Sequence, residues 1–311
     1  MATVTLAEAS KLTQDELLVG IIEDIITINP MFKMMPFRGI DGSAYSYNRE
    51  NELGDVISAG VGTSFTGAGA GNNPASFTKV TTALTTIMGN AEVNGLIQST
   101  HSGGTDQTAA QIQSKAKATG REYQRQMIEG TGSANEFVGL ISLCSVDQTV
   151  QTGANGDELT LDLLDELLDT VTDKDGQADY IMMHVRTRRA YHKLLRALGG
   201  ANINEVVTMA NGDTVEAYNG VPLFRNDFIP TDLTKGTSVN ASPVFAGTWD
   251  DGSGSHGIVG LTSENDFGIV VEEVGPAEDK DEHIWRVKWY CSLALHCDKG
   301  LAKIDAIVPP A

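Results

Sequence analysis

Two strand-like segments separated by a long glycine-rich interval constrain the fold of this chain more than any other feature. Gly42–Glu50 has the pattern of a strand, with Tyr45 and Tyr47 on the same face. Phe77–Met88 is rich in β-branched residues, which favour strands. The interval of about 20 residues between them is glycine-rich, and loops of this length are uncommon inside a compact domain. Because a two-stranded hairpin is marginal in water, we predict that this one needs a further surface, which a neighbouring chain could provide.

The N-terminal segment has the pattern of a short amphipathic helix. Thr13 and Glu16 have the spacing of a capping box, and Asn29-Pro30 ends the helical pattern. Apolar residues follow the cap at helical spacing, namely Leu17, Leu18, Ile21, Ile22 and Ile25. A helix over Thr13–Ile28 would form an arm that packs either on its own domain or on another copy.

A long helix and a long strand are predicted to pack against each other. Thr105–Glu129 carries a narrow apolar stripe, and Gly130 and Gly132 follow it at the position of a C-cap. At about 1.5 Å per residue, this helix spans roughly 35–40 Å. Ile284–Leu295 alternates as a half-buried strand does, with one face made of Trp285, Val287, Trp289, Cys291, Leu293 and Leu295. A helix with such a narrow apolar face is suited to pack along one sheet rather than in the centre of a helical bundle. We therefore expect this helix to lie along the strand.

The middle of the chain has an α/β pattern. Asn211-Gly212 is a strong signal for a hairpin turn, and the proline at position 222 favours a place at a sheet edge. The predicted elements, in order, are an acidic helix at Leu161–Val171, a strand at Ala178–Val185, a basic helix at Arg186–Leu198, a hairpin at Glu205–Tyr218, an edge strand at Val221–Phe224 and a polar connection at Thr231–Ser242.

Composition argues against several classes of protein. The chain has 41 acidic and 22 basic residues and a formal charge of −19, which disfavours a general nucleic-acid-binding protein because phosphate would be repelled. No window reaches about 18 consecutive apolar residues, and the first residues lack the basic region of a signal peptide. The 3 cysteines are too few and odd in number for a disulfide framework, which fits a reducing cytoplasm.

No motif in the sequence points to catalysis, a cofactor or a metal. Gly62–Gly67 has the spacing of a phosphate loop, but Ala68-Gly69 replaces the required lysine and hydroxyl residue. The histidines form no zinc motif, and no nucleophile elbow is present. The predicted arm, long hairpin and strut are projections that cost chain entropy unless neighbours bury them. This pattern favours an obligate assembly protein over an enzyme, with an acidic hydrolase and a tail-fibre-type β protein as alternatives.

Several segments, taken in order, carry a resemblance to a known family: Pro36–Gly39 leading into Tyr45–Glu50, the helix Thr105–Glu129, Tyr218–Leu223 before Asp227–Pro230, and Arg286–Tyr290. In this order the chain resembles the major capsid protein of tailed bacteriophages, the fold named after phage Hong Kong ninety-seven. The resemblance implies an α+β fold with an N-terminal arm, an extended β-hairpin loop, a peripheral domain with a long spine helix, and an axial α/β domain. The implied ranges are 1–36 for the arm, 37–92 for the extended loop, 93–135 and 243–311 for the peripheral domain, and 136–242 for the axial domain.

The same resemblance implies a non-enzymatic protein that builds the icosahedral head shell around packaged double-stranded DNA. The implied partners are other copies, in hexamers and pentamers, together with a separate scaffold protein, a portal and a cement protein, and the DNA is enclosed without sequence-specific binding. The protein would be assembled in the host cytoplasm and reside in the virion, with no membrane contact. Lys79 is the only lysine in the loop and lies in a predicted strand, so we expect no covalent crosslinking there.

In such a shell the loop would lie over the adjacent subunit and the arm would pack under another. The predicted inter-subunit contacts are therefore Leu17, Ile21, Ile25, Tyr45, Tyr47, Phe77, Val80, Thr82 and Leu84. An encapsulin-like compartment of the same fold, holding protein cargo, is the main alternative.

Overall fold

The computed structural model describes residues 34–64, 66, 71–101, 107–133, 135–173, 176–197, 205–209 and 212–309. The predicted N-terminal helix, with Leu17, Ile21 and Ile25, lies outside these residues. Within the described residues the helices are α1 (Gly95–His101), α2 (Gln107–Glu129), α3 (Leu140–Leu143), α4 (Leu161–Thr172) and α5 (Val185–Ala197). None of these helices is long and apolar enough to cross a membrane.

The described strands form three sheets. In chain order they are β1 (Phe37–Ile40), β2 (Ala44–Glu52), β3 (Ser76–Ala83), β4 (Thr85–Asn94), β5 (Thr149–Val150), β6 (Asp157–Glu158), β7 (Tyr180–Met183), β8 (Glu205–Thr208), β9 (Thr214–Tyr218), β10 (Val221–Arg225), β11 (Leu233–Lys235), β12 (Ser238–Gly247), β13 (Ile258–Ser263), β14 (Ile269–Pro276), β15 (Glu282–Leu295) and β16 (Leu301–Val308).

The first sheet is organised around β15, the long alternating strand predicted from the sequence. One edge of β15 pairs antiparallel with β4, and the other edge pairs with β14 and then with β13. β1 adds to β13 in parallel. The predicted inward face is buried at Val287, Trp289 and Cys291, because these side chains alternate toward α2.

The long helix α2 lies on this sheet, as its apolar stripe predicted. Ile112, Ala116, Tyr123 and Met127 are buried in the same core as Trp289. Tyr123 contacts Phe37 of β1, Phe137 and Trp289 with ring centroids 4.6–5.9 Å apart. These aromatic contacts fix the helix along β15.

The second sheet has the order β5-β16-β12-β7-β10-β9-β8, with β11 added to β12 and β6 added to β16. All four residues of β7 are buried, because both faces of the sheet are covered. Ile181 and Met183 pack in a core with the apolar stripes of α4 and α5, whereas Tyr180 and Met182 join the core that holds α2. The core that holds α2 thereby joins the two sheets.

Three segments of the chain differ from their predicted structure. The single strand predicted over Phe77–Met88 is split, because Leu84 donates its backbone N–H to Ser43 and the chain then leaves β2 to pair with β15 as β4. Val221–Phe224 was predicted at an edge, but β10 lies between β9 and β7. The proline is tolerated there because pairing with β7 begins only at Leu223.

The segment Thr231–Ser242 was predicted as a connection, and it instead forms β11 and the start of β12. Gly236, at φ +58°, turns the chain between these two strands, and Lys235 pairs with Ser238. The polar composition hid the hairpin because one of its faces is exposed.

The division of the strands into sheets bears on the implied domain ranges, which stay a prediction. Residues 243–311 were expected to belong with the peripheral strands, but β12 and β16 lie in the second sheet, where they pair with each other and with β7. The chain thus returns to the second sheet at its end, after it has completed β13, β14 and β15.

Candidate assembly surface

The hairpin of β2 and β3 projects from the body of the protein. The two strands pair antiparallel with each other from Ala44 and Ala83 to Glu52 and Ser76, and within the described residues neither pairs with a third strand. Backbone N–H and C=O groups along both outer edges are therefore left for water or for another chain. A hairpin in this state is a candidate for contact between copies.

The base of the hairpin is attached to its own body by two tyrosines. Tyr45 and Tyr47 point from the same face of β2, and Tyr47 donates a hydrogen bond of 2.5 Å to the carbonyl oxygen of Leu295. Both rings pack with Leu84 against Ile40, Val259, Leu261 and Ala294 of the first sheet. Burial raises the pKa of the Tyr47 hydroxyl. The far face of β15, polar along most of its length, is thus covered at its C-terminal end.

Arg49 continues the same face of β2 and adds the strongest polar contacts of the joint. Its guanidinium donates to the carbonyl oxygens of Leu295 and His296 and to the carboxylate of Asp298, at 2.5–3.0 Å. Charge-assisted bonds of this kind are shorter and stronger than neutral ones. The hairpin is therefore held at a defined place for about half of the length of β2.

Beyond Arg49 the hairpin leaves the body and becomes exposed. Leu53 is 80% exposed and Val56 is 93% exposed, and Ile57 and Val61 are exposed as well. Phe77, on the outward face of β3 opposite Glu50, is 66% exposed. Single exposed apolar residues are common, but five on one projecting hairpin indicate a surface that another molecule covers.

The predicted contact residues divide into two groups. Tyr45, Tyr47 and Leu84 contact the body of their own subunit. Val80 and Thr82 lie opposite the two tyrosines in register, so they share the face that turns toward the body and are half-buried. Phe77 alone among the described predicted residues is largely exposed. Whether any of these residues contacts another subunit stays a prediction.

Sequence reasoning missed the residues that organise this surface. The glycine-rich interval hid the apolar side chains of Leu53, Val56, Ile57 and Val61, whose spacing fits neither a helix nor a strand. Arg49 and His296 carried no motif, since their contacts join positions almost 250 residues apart. The period-two position of Arg49 after Tyr45 and Tyr47 was the only available signal.

Comparison with solved structures shows a fold shared with shell subunits. The chain is similar to the holo-SrpI encapsulin complex from Synechococcus elongatus PCC 7942, with 19% identity and a TM-score of 0.71 over 90% of this chain and 88% of that one. It is similar to the capsid of the native GTA particle (12% identity, TM-score 0.62, 89% of each chain). It is also similar to the capsid of Myoviridae phage XM1 (11% identity, TM-score 0.59, 89% of this chain and 91% of that one). The chain therefore has a capsid-type fold.

Residues 29–232, about two-thirds of the chain, match the family model described as SU10 major capsid protein. The chain belongs to this family, and it is a major capsid protein of the tailed-phage type, which forms the head shell of the virion. A comparison with curated proteins gives no match. The resemblance and the α+β capsid fold expected from the sequence are confirmed.

Proposed function

We propose that copies of this chain close into an icosahedral shell of hexamers and pentamers around packaged double-stranded DNA, with the hairpin of each subunit lying over its neighbour. The observation that carries this proposal is the contrast along the hairpin: its base is anchored to the body, whereas Leu53, Val56 and Phe77 are exposed. An anchored base gives the projecting part a fixed direction. A fixed apolar projection is suited to one defined neighbour.

Hydrophobic burial is the driving force that we assign to this contact. Covering apolar surface contributes about 25 cal/mol per Å², so a few exposed side chains of this size stabilise a contact by several kcal/mol. Obligate interfaces typically bury thousands of Å², so the hairpin would be one part of a larger contact. The predicted arm residues Leu17, Ile21 and Ile25 would add a second contact under another subunit.

The two sheets support a division into two working parts. We assign the first sheet and α2, the spine helix, to the peripheral domain, and the second sheet with α4 and α5 to the axial domain around the symmetry axes. In this assignment the axial domain includes β12 and β16, which extends it beyond residues 136–242. Within the extended loop of residues 37–92, we assign the projecting part to the hairpin of residues 44–83, which β1 and β4 of the first sheet flank.

The charge of the chain fits a container for DNA. A formal charge of −19 disfavours adhesion of the wall to phosphate, so packaged DNA would be confined without sequence-specific binding and free to leave. We assign no catalytic step to the protein. Assembly in the host cytoplasm, with a separate scaffold protein, a portal and a cement protein, belongs to the same proposal.

A protein compartment of the encapsulin type is the second candidate, because the chain shares its fold with an encapsulin at a TM-score of 0.71. Electron microscopy of the purified chain, expressed with and without a scaffold protein, tests both candidates. We expect closed hollow shells that copurify with no single enzyme. A small discrete oligomer would contradict the shell, and shells that consistently enclose one host enzyme would favour the compartment.

A further inference from the structure

A buried histidine lies at the joint between the hairpin and the body. His296 follows directly after β15, and its side chain is 1% exposed. The rings of Tyr45 and Tyr47 pack against the imidazole with centroids 5.9 and 5.2 Å away, both edge to face. The two residues that attach the base of the hairpin therefore both contact His296.

The polar contacts of this histidine fit its neutral form. The hydroxyl of Tyr45 lies 3.2 Å from Nε2 of His296, and Nη1 of Arg38 donates to the same hydroxyl oxygen at 3.2 Å. With the imidazole neutral at Nε2, the Tyr45 hydroxyl can accept from Arg38 and donate to His296. This chain of donors satisfies the Arg38 N–H group, the Tyr45 hydroxyl and Nε2 of His296, while Nδ1 carries the proton of the neutral ring and has no hydrogen-bond acceptor among the described residues.

Protonation of Nε2 would break this arrangement. Arg38 and His296 would then both donate to the Tyr45 oxygen, and the hydroxyl proton of Tyr45 would lose its acceptor. Leaving this hydroxyl proton without its acceptor is unfavourable. Protonation of His296 would therefore weaken the contact between the base of the hairpin and the body.

The charged groups around His296 act on its protonation in opposite directions. Arg38 on β1 and Arg49 on β2 are cations that disfavour a second positive charge. Asp250, in the segment between β12 and β13, lies 3.7 Å from Nδ1, which is beyond hydrogen-bond distance, and its carboxylate already accepts from the backbone of Gly254.

Two further groups complete the surroundings of the imidazole. Asp298 is engaged by Arg49, and His256 of the same segment as Asp250 lies 3.9 Å from Asp251. Burial lowers the pKa of His296; Asp250 and the backbone of His256 oppose this shift, and the charges of Arg38 and Arg49 add to it.

We propose that His296 is a proton-operated latch of the hairpin: when neutral it holds Tyr45 and Tyr47 against the body, and when protonated it releases the base of the hairpin. The latch acts within one subunit and goes beyond shell formation. The effect of pH follows from a comparison of the two states. In the attached state the pKa of His296 is lowered, whereas in the released state it is an ordinary histidine pKa of about 6.5, so the released state binds the proton more readily. Release is therefore favoured as the pH falls below that value.

Hydrogen exchange of the amides of Tyr45–Arg49 in unassembled full-length subunits tests the latch at about pH 7.5 and about pH 5.5. After correction for intrinsic rates, we expect opening to rise by up to about tenfold in acid, the limit for one exposed histidine of ordinary pKa. His296→Gln, which can accept from Tyr45 but cannot titrate, should abolish the rise. His256→Gln, at an exposed histidine of the neighbouring segment, should leave it unchanged.

An acid response below about twofold, or an equal response in His296→Gln, would overturn the latch. If His296→Gln does not fold, the same exchange measurement on Tyr45→Phe tests the proposal. This variant removes the shared hydroxyl, so it should be more open at neutral pH and respond less to acid, whereas a response equal to that of the unmodified chain would contradict the proposal. Since exchange is measured in free subunits, failure of the latch is distinguishable from failure of shell formation.

Discussion

The rings of Tyr123 and Trp289 lie 4.6 Å apart between centroids and are inclined by 31°. This contact joins the C-terminal half of α2 to the middle of β15, the longest helix and the longest strand among the described residues. Both side chains are buried, and Phe37 of β1 packs against each of them at 5.9 Å. The helix, the sheet and the strand that leads into the hairpin thus meet at one aromatic cluster.

Trp289→Ala should therefore destabilise the whole body. We expect the free energy of unfolding to fall by about 3–5 kcal/mol, because a large buried ring is lost and a cavity remains. Denaturant unfolding of the full chain measures the change. Phe267→Ala, at a position that is 55% exposed, is the matched control and should change stability by less than about 1 kcal/mol. Equal effects of the two substitutions would contradict the role of the cluster.

Gly130→Ala should also be strongly destabilising, because the backbone passes another segment too closely for a side chain. A Cβ at Gly130 would overlap the carbonyl oxygen of Phe137 and lie 2.5 Å from that of Gln126. We expect a loss of more than about 2 kcal/mol in thermal or denaturant unfolding. Gly60→Ala is the control, since the nearest neighbouring atom there is 3.9 Å away. A stable Gly130→Ala protein would show that the two segments can separate at little cost.

Arg49→Met should release the base of the hairpin while the body stays folded. The substitution keeps much of the apolar stem but removes all the bonds to Leu295, His296 and Asp298, which are worth about 1.5–3 kcal/mol each when charge-assisted. Limited proteolysis within the hairpin should become several-fold faster at an unchanged unfolding temperature. Lys79→Met, at an exposed position of β3, should leave the cleavage rate as it was. Equal cleavage of both variants would mean that Arg49 does not hold the hairpin.

Val56→Ser combined with Val61→Ser should reduce assembly without reducing the stability of the body. Both side chains are exposed on the projecting part, so the isolated subunit loses no core contact. Sedimentation should show more free subunits at the same protein concentration, because less apolar surface is covered on assembly. Val146→Ser, at an 81% exposed valine outside the hairpin, is the control for exposed polarity alone. Unchanged assembly of the double variant would exclude the tip as an apolar contact.

The sequence predicted those parts of the fold whose signals are local and periodic. The alternation over Ile284–Leu295 and the stripe of α2 gave both elements and their contact, because burial on one face leaves a clear pattern. The turn around Gly212 was predicted from a local dipeptide signal, Asn-Gly, and the structure has β8 and β9 as the two arms of that hairpin.

What the sequence did not predict depends on partners that are distant in the chain. The strand predicted over Phe77–Met88 is interrupted at Leu84 because its first part pairs with β2 and its second part pairs with β15. No local pattern in the sequence marks the residue at which the pairing partner changes. The anchoring of Tyr45 and Tyr47 on their own subunit has the same origin. Aromatic residues on an isolated strand indicate that a surface is needed, but they do not specify whose surface it is.

Removal of the hairpin tip tests the central claim of shell formation most directly. The backbone N–H of Asp55 donates to Asn73 at 3.1 Å, and Glu52 pairs with Ser76, so residues 54–74 can be replaced by Asn-Gly without moving the strands. Electron microscopy of this variant beside the unmodified chain should show folded subunits or small oligomers in place of closed shells. Closed shells of normal size and number, formed without the tip, would contradict the account.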